Sequence, residues 1–326
     1  MPTKRALLLG FVAASLDLGA GCRAQEAYPS RAVRLVLPFP PGTNSEIVAR
    51  VVADRLSVKF GQAVIVENRP GGAGGTIGAA TVASAEPDGY TLLVSPPGPL
   101  VTAGAIYKNL NYDPGRSFAP VALLFEAPQL LAVSRNVPAK TVRELVAYIK
   151  ANPGKISFAS PGYGTQPHLL GEMFKAAADI NIVHIPYKGP GAAITALLAD
   201  DVQIYFESSI VVLPLAEAGK LNVVAVAGES RTAQLPDTPT TGQSGFPTLL
   251  GGFWSGVVAP ARTKAQVVNQ LNAAINEVMQ FSEVEATLAK VGAHARLGTP
   301  QDFTAFIDTE RQRWSAVIKA AGIRVE

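Results

Sequence analysis

The sequence describes an α/β protein built on more than one sheet. Short apolar runs of strand character alternate with longer stretches of helical spacing, and 326 residues at 48% apolar composition exceed what one small core uses. The alternation opens with an apolar run at 33–39 and a helical stretch from Glu46 to Phe60. There Ile47, Val48, Val51, Val52 and Leu56 form one apolar face, and Arg50, Asp54 and Arg55 take the other. Further strands are expected at 63–67, 90–95, 121–125, 130–134, 156–160, 182–186, 202–206, 223–227 and 255–259. Caps place several helix starts. Thr141 with Glu144, and Thr263 with Gln266, have capping-box spacing, in which hydroxyl and later side chain satisfy free backbone donors. Thr299 and Pro300 open a last helix that carries Phe303, Phe306, Ile307, Trp314, Val317 and Ile318 and stops near Gly322. No Pro/Gly/Ser linker interrupts the middle of the chain, so strands or short loops are expected to make any domain crossing.

Composition removes several function classes. The 28 basic residues nearly cancel the 25 acidic ones, which argues against a nucleic-acid binder. One cysteine makes no internal disulfide and no cysteine zinc site, and His168, His184 and His294 are far apart in sequence, so no metal is expected. Lys4 and Arg5 precede an apolar run at 6–16 and the small-residue stretch Gly19 to Ala24, the pattern of an export signal. Cleavage after Ala24 and lipidation of Cys22 both fit. Gly19 stands where a lipoprotein site has a leucine-like residue, which favours cleavage over residues 1–24 and a mature chain starting at Gln25. That removes Lys4, Arg5 and Arg23 against Asp17 and leaves a near-neutral exported protein. No later run reaches the roughly 18 apolar residues of a membrane span.

Two strand-to-helix loops are candidates for binding chemistry. In the first, Phe39, Pro40, Pro41, Gly42, Thr43, Asn44 and Ser45 lead into a helix with no lysine or arginine, which suits an anion held by backbone N–H groups and short polar side chains. The plainer reading is that Asn44 or Ser45 caps the helix. The second loop repeats the arrangement: Ser160, Pro161, Gly162, Tyr163, Gly164 and Thr165 precede a helix beginning near Gln166 and carrying His168. Two such loops facing each other across a cleft, beyond the C-terminal ends of strands, would make a ligand site. The glycines at 71, 72, 74, 75 and 78 approach a dinucleotide pattern but follow a full strand and helix, so no cofactor is expected. Nucleophile elbow, H-E-x-x-H and P-loop patterns are all missing from the sequence. Glu207, at a strand end, and Asp88 are candidate acids, the second more simply a turn residue. An exported α/β enzyme using His168 and Glu207, or an interaction module, remain the alternatives to a binding protein without catalysis.

The motifs in order carry a family resemblance. Pro29-Ser30-Arg31 precedes the first strand, followed by Pro38-Phe39 with Pro41-Gly42, Glu67-Asn68-Arg69-Pro70-Gly71, Pro87-Asp88-Gly89-Tyr90, His184-Ile185-Pro186-Tyr187-Lys188-Gly189, Leu235-Pro236-Asp237-Thr238-Pro239-Thr240 and Trp254-Ser255-Gly256. From residue 28 to 326 the chain resembles the extracytoplasmic substrate-binding proteins of tripartite tricarboxylate transporters, the Bug or TctC family. The resemblance implies a type II periplasmic-binding-protein-like fold of two α/β domains, 28–125 with 253–326 and 126–252, closing on a small carboxylate. It implies a periplasmic monomer that serves membrane subunits of a transporter, without cofactor. Its ligand-binding residues would be Phe39, Pro41, Gly42, Thr43, Asn44, Ser45, Ser95, Ser160, Gly162, Gly164, Thr165, Gln166, His168, Tyr187 and Glu207. The first loop departs from the family's P-G-G-G-T-D: glycines give way to Thr43 and Asn44, threonine to Ser45 and aspartate to Glu46. Glu207 stands for the family's aspartate, and Gln243 for a glutamate.

Overall fold

The computed structural model describes residues 28–323; the export signal and Cys22 lie outside them. The chain runs β1 (Val33–Leu37), α1 (Asn44–Phe60), β2 (Val64–Asn68), a 3-10 turn (Ala73–Gly75), α2 (Thr76–Ala83), β3 (Thr91–Ser95), a π-helical turn (Gly98–Thr102), α3 (Ala103–Ile106) and β4 (Phe118–Ser134). It continues through α4 (Val142–Ala151), β5 (Ser157–Ser160), α5 (Gln166–Ala178), β6 (Val183–Pro186), α6 (Pro190–Leu198), β7 (Ile204–Ser208), α7 (Ser209–Glu217) and β8 (Leu221–Ala227). The return is β9 (Gly252–Pro260), α8 (Ala265–Met279), α9 (Ser282–Lys290), β10 (His294–Ala295) and α10 (Pro300–Ala320).

The strands form one continuous ten-stranded sheet rather than the separate sheets that their number suggests, in the order β2-β1-β3-β9-β4-β7-β5-β6, with β8 and β10 also on β4. β4 joins the two domains. Its first part pairs antiparallel with β9 and β10, beside the parallel strands β3, β1 and β2; its last part pairs antiparallel with β7 and β8, beside parallel β5 and β6. The sequence suggests two separate strands, at 121–125 and 130–134. They form one. Pro128, which has no amide hydrogen to donate, stands where β4 leaves β9, opposite Gly252, and takes up β7 and β8 at Gln129. β10 carries no sequence signal of its own; its two residues add to the edge of β4 beside Phe125 and Glu126.

Helix patterning holds with local corrections. In α1 the buried stripe is Val48, Ala49, Val52, Ala53 and Leu56, whereas Ile47 is 49% exposed. The alanines turn the apolar face away from Ile47 by letting the helix lie close to its neighbours. Thr141 caps α4 as expected, its Oγ1 accepting from Glu144 N–H, and Glu144 returns to Lys140 N–H at 2.7 Å. The box at α10 is complete, Thr299 with Asp302, with Pro300 in the first turn. The box expected at Thr263 does not form. Thr263 N–H closes a turn on Pro260, its buried hydroxyl has no protein partner, and α8 starts after Lys264. In the glycine cluster, a Cβ on Gly78 would stand 2.8 Å from both Pro38 Cα and Arg69 O, so close packing of α2 on the end of β1 accounts for that glycine. Asp88 is a turn residue: its Oδ1 accepts from Tyr90 N–H, and Oδ2 pairs with Arg31. Among the described residues no helix is long and apolar enough to cross a membrane.

Candidate functional site

The parallel strands aim their C-terminal ends at one place. β1 ends in the loop to α1, β3 in Pro96-Pro97-Gly98, β5 in the loop to α5, and β7 in Glu207. β9 runs antiparallel and so contributes its start, Phe253. Phe39, Thr43, Asn44, Ser45, Pro96, Pro97, Gly98, Pro161, Thr165, Gln166, Pro167, Pro190, Glu207 and Phe253 together line a cavity with ≈ 70 Å³ open to the centre of a water molecule. By that measure it holds a few waters or a small ligand. The site is where an open α/β sheet binds ligands, beyond strand ends and at helix N-termini.

Thr43 caps α1 rather than Asn44 or Ser45: its Oγ1 accepts from Glu46 N–H at 3.3 Å. Glu46 then folds back, taking Gly42 N–H at 2.5 Å on Oε2 and Arg50 Nε and Nη2 at 3.0 and 2.6 Å on Oε1. Gly42 N–H is therefore committed within the protein. The second loop is braced likewise. Gly164 N–H donates to His168 Nδ1 at 3.0 Å, Thr165 Oγ1 donates to Gly162 O at 2.7 Å, and Ser160 Oγ lies 2.6 Å from His184 Nε2 and accepts Gly162 N–H. What remains to face a ligand are the opening N–H groups of the two helices, at Asn44, Ser45 and Gln166, which have no intrahelical acceptor.

The structure thus sorts the sequence-derived residues. Phe39, Thr43, Asn44, Ser45, Thr165, Gln166 and Glu207 line the cavity. Gly42, Ser160, Gly162, Gly164 and His168 brace its loops from behind. Pro41 is exposed, Tyr187 is half-exposed past β6, and Ser95 is buried at the end of β3 with its hydroxyl donating to Pro96 O. Three residues that sequence reasoning missed follow the same strand-proline-glycine-helix pattern, Pro96, Pro97 and Gly98, while Pro161 and Pro167 belong to the second loop and its helix start. Pro190, in the Gly189-Pro190-Gly191 turn from β6 into α6, carries the same signal, and Phe253 has none.

Glu207 is the one ionisable residue in the wall. It is 3% exposed; Oε2 accepts from the Tyr205 hydroxyl, and Oε1 from Ser208 N–H at 2.7 Å and Asn44 Nδ2 at 3.4 Å. Burial raises its pKa against the lowering effect of those donors. Asn44 Nδ2 also reaches Ser208 Oγ at 2.6 Å, so the start of α1 is tied to the end of β7 across the cavity. Two more bonds join the sides: Thr102 Oγ1 to Gly164 O at 2.8 Å and Tyr107 Oη to Tyr163 O at 3.3 Å. His168 and Glu207 belong to different surroundings. His168 stacks on His184 with ring centroids 3.9 Å apart, His184 in turn on Phe158, and Tyr163 meets both imidazoles edge-on. Burial holds His168 down to about 4; burial and then His168 hold His184 down to about 3.

Two α/β domains that share β4, with a pocket fed by helix N-termini from both, define the class of solute-binding proteins. The family described as tripartite tricarboxylate transporter family receptor (TctC) matches residues 48–323, and the chain belongs to it. It is 33% identical to Protein BugT of Bordetella pertussis over 325 residues, 99% of each chain. Among solved structures it is similar to R. palustris Rpa4515 with adipate, at 32% identity and TM-score 0.87 over 91% of this chain and 100% of that one. It is also similar to MatC from Rhodopseudomonas palustris with bound malate, at 31% identity and TM-score 0.84 over 89% and 100%.

Proposed function

We propose that this protein is a periplasmic receptor that captures one small carboxylate between its two domains and delivers it to the membrane subunits of a tripartite tricarboxylate-type transporter, without catalysis or cofactor. The observation that carries this reading is the pocket itself: two helix N-termini, from the two halves of the sheet, open into a cavity whose wall contains no lysine, arginine or histidine. A carboxylate there is held by neutral donors and by the positive ends of two helix dipoles. The similar structures with adipate and malate support the ligand class. The division falls at β4 and β9, giving 28–125 with 253–326 as one domain and 126–252 as the other. The monomer carries the complete pocket, and its near-neutral surface suits neither nucleic acid nor a lipid surface.

Thermal melting of the purified mature protein against a carboxylate panel, followed by calorimetry on the hits, tests the reading. A ligand at 100 times its dissociation constant stabilises the fold by about 2.7 kcal/mol. A carboxylate that raises the melting temperature and is recovered unchanged after incubation is expected. Turnover of the ligand would establish an enzyme instead, and no response to any carboxylate would remove the reading.

A further inference from the structure

The far wall of the pocket is rich in acceptors and lacks a cation. Asn44 is 3% exposed, and while its Nδ2 is spent on Ser208 and Glu207, its Oδ1 has no protein partner. Glu207 beside it already uses both carboxyl oxygens as acceptors, from Tyr205, Ser208 and Asn44. Gln166, 4% exposed at the start of α5, has neither its Oε1 nor its Nε2 paired. Buried polar atoms are ordinarily hydrogen-bonded, so three unpaired amide atoms around one cavity mark where a ligand's own polar atoms go.

We infer that the pocket selects a small carboxylate whose other end carries a hydrogen-bond donor, such as an amide, amine or ring N–H, over a dicarboxylate. The inference rests on the receptor reading above. One carboxylate meets the free N–H groups of the two helix starts and the Gln166 Nε2. Toward the end of β7 the ligand then meets Asn44 Oδ1 and the Glu207 carboxyl, which accept a donor. A second carboxylate there sets acceptor against acceptor, and two acids at close range do not both ionise. No basic side chain lines the cavity to relieve them. Between the ends, Phe39, Phe253 and the proline walls suit a flat apolar body. Burial raises the Glu207 pKa, but its three internal partners, Tyr205, Ser208 and Asn44, are all donors and oppose that rise by favouring the ionised, accepting form.

Calorimetry on the mature protein at pH 7.5 tests this with matched pairs: succinate and succinamate, glutarate and glutaramate, adipate and adipamate, isophthalate and its monoamide. For the best-fitting pair the monoamide is expected to bind at least tenfold more tightly than the diacid. Glu207→Gln keeps the side chain's shape and supplies a donor to the cavity, so the gap should narrow to threefold or less. Asn44→Ala removes the unpaired acceptor and should weaken the monoamide more than the diacid, a second readout should Glu207→Gln fold poorly. A diacid bound within tenfold of its monoamide by the wild type overturns the inference and leaves the carboxylate receptor standing. Absence of binding by every member of every pair overturns both.

Discussion

Replacing Glu46 by alanine should loosen the first ligand loop, and its magnitude follows from three contacts. The Glu46 side chain is 6% exposed and accepts the Gly42 N–H at 2.5 Å, a charge-assisted bond that contributes about 1.5–3 kcal/mol. Its place in the first turn of α1 adds about 0.3–1 kcal/mol from the helix dipole. The pair with Arg50 adds little, because the arginine side chain is 57% exposed and such pairs contribute about 0–1 kcal/mol. Glu46→Ala is therefore expected to destabilise the protein by about 2–4 kcal/mol, and Arg50→Ala by less than about 1 kcal/mol. Glu46→Gln, which keeps an acceptor without the charge, should fall between them. Urea unfolding of the three variants measures stability, and calorimetry with the tightest carboxylate measures the loop. Freed from Glu46, the segment from Phe39 to Thr43 should lose its fixed geometry, with a several-fold loss of affinity for Glu46→Ala. If Arg50→Ala costs as much as Glu46→Ala, or if Glu46→Ala costs under about 0.5 kcal/mol, the carboxylate is not what holds the loop.

Thr102→Val keeps the side chain's shape but deletes the donor to Gly164 O, leaving a buried carbonyl across the cavity unpaired; calorimetry should show about fivefold or greater weakening, and unchanged affinity would mean the sides are not held by that bond. For His168 the unfolded chain takes its proton near 6.5 and the folded one only near 4, so between these values the unfolded state binds more protons and stability rises with pH. Stability is full above about 6.5 and falls by up to about 1.4 kcal/mol per unit as the pH drops toward 4. His168→Asn keeps an acceptor for Gly164 N–H without that titration, so its melting temperature should fall less steeply between pH 6.5 and 4.5; identical slopes would refute the assignment. Glu310 is buried and accepts from both Trp254 Nε1 at 3.2 Å and Trp314 Nε1 at 2.9 Å. Glu310→Ala strands two buried indole donors at about 1–3 kcal/mol each, and a melting temperature within a degree of that of the exposed control Asp308→Ala would show that the indoles find other partners.

The sequence by itself determined what local chemistry encodes. Alternating apolar runs and helical stripes gave the α/β class. Thr141, Thr299 and Pro300 marked helix starts because a cap acts within a few residues of itself. Two cation-free loops before α1 and α5 pointed to the place where helix donors converge. Tertiary structure decided the rest, since each remaining feature depends on residues far apart in the chain. β4 is one strand rather than two because its register is set by β9 and then by β7 and β8, and no local signal around Pro128 contains those partners. Ile47 is exposed because small alanines set the packed face of α1, which periodicity alone did not rank above isoleucine. The carboxyl of Glu46 claims Gly42 N–H and the imidazole of His168 claims Gly164 N–H, so donors that looked available in the sequence brace the loops instead. Asn44 meets Glu207 and Ser208 across 163 and 164 residues of chain, and only folding places those polar groups in one small cavity.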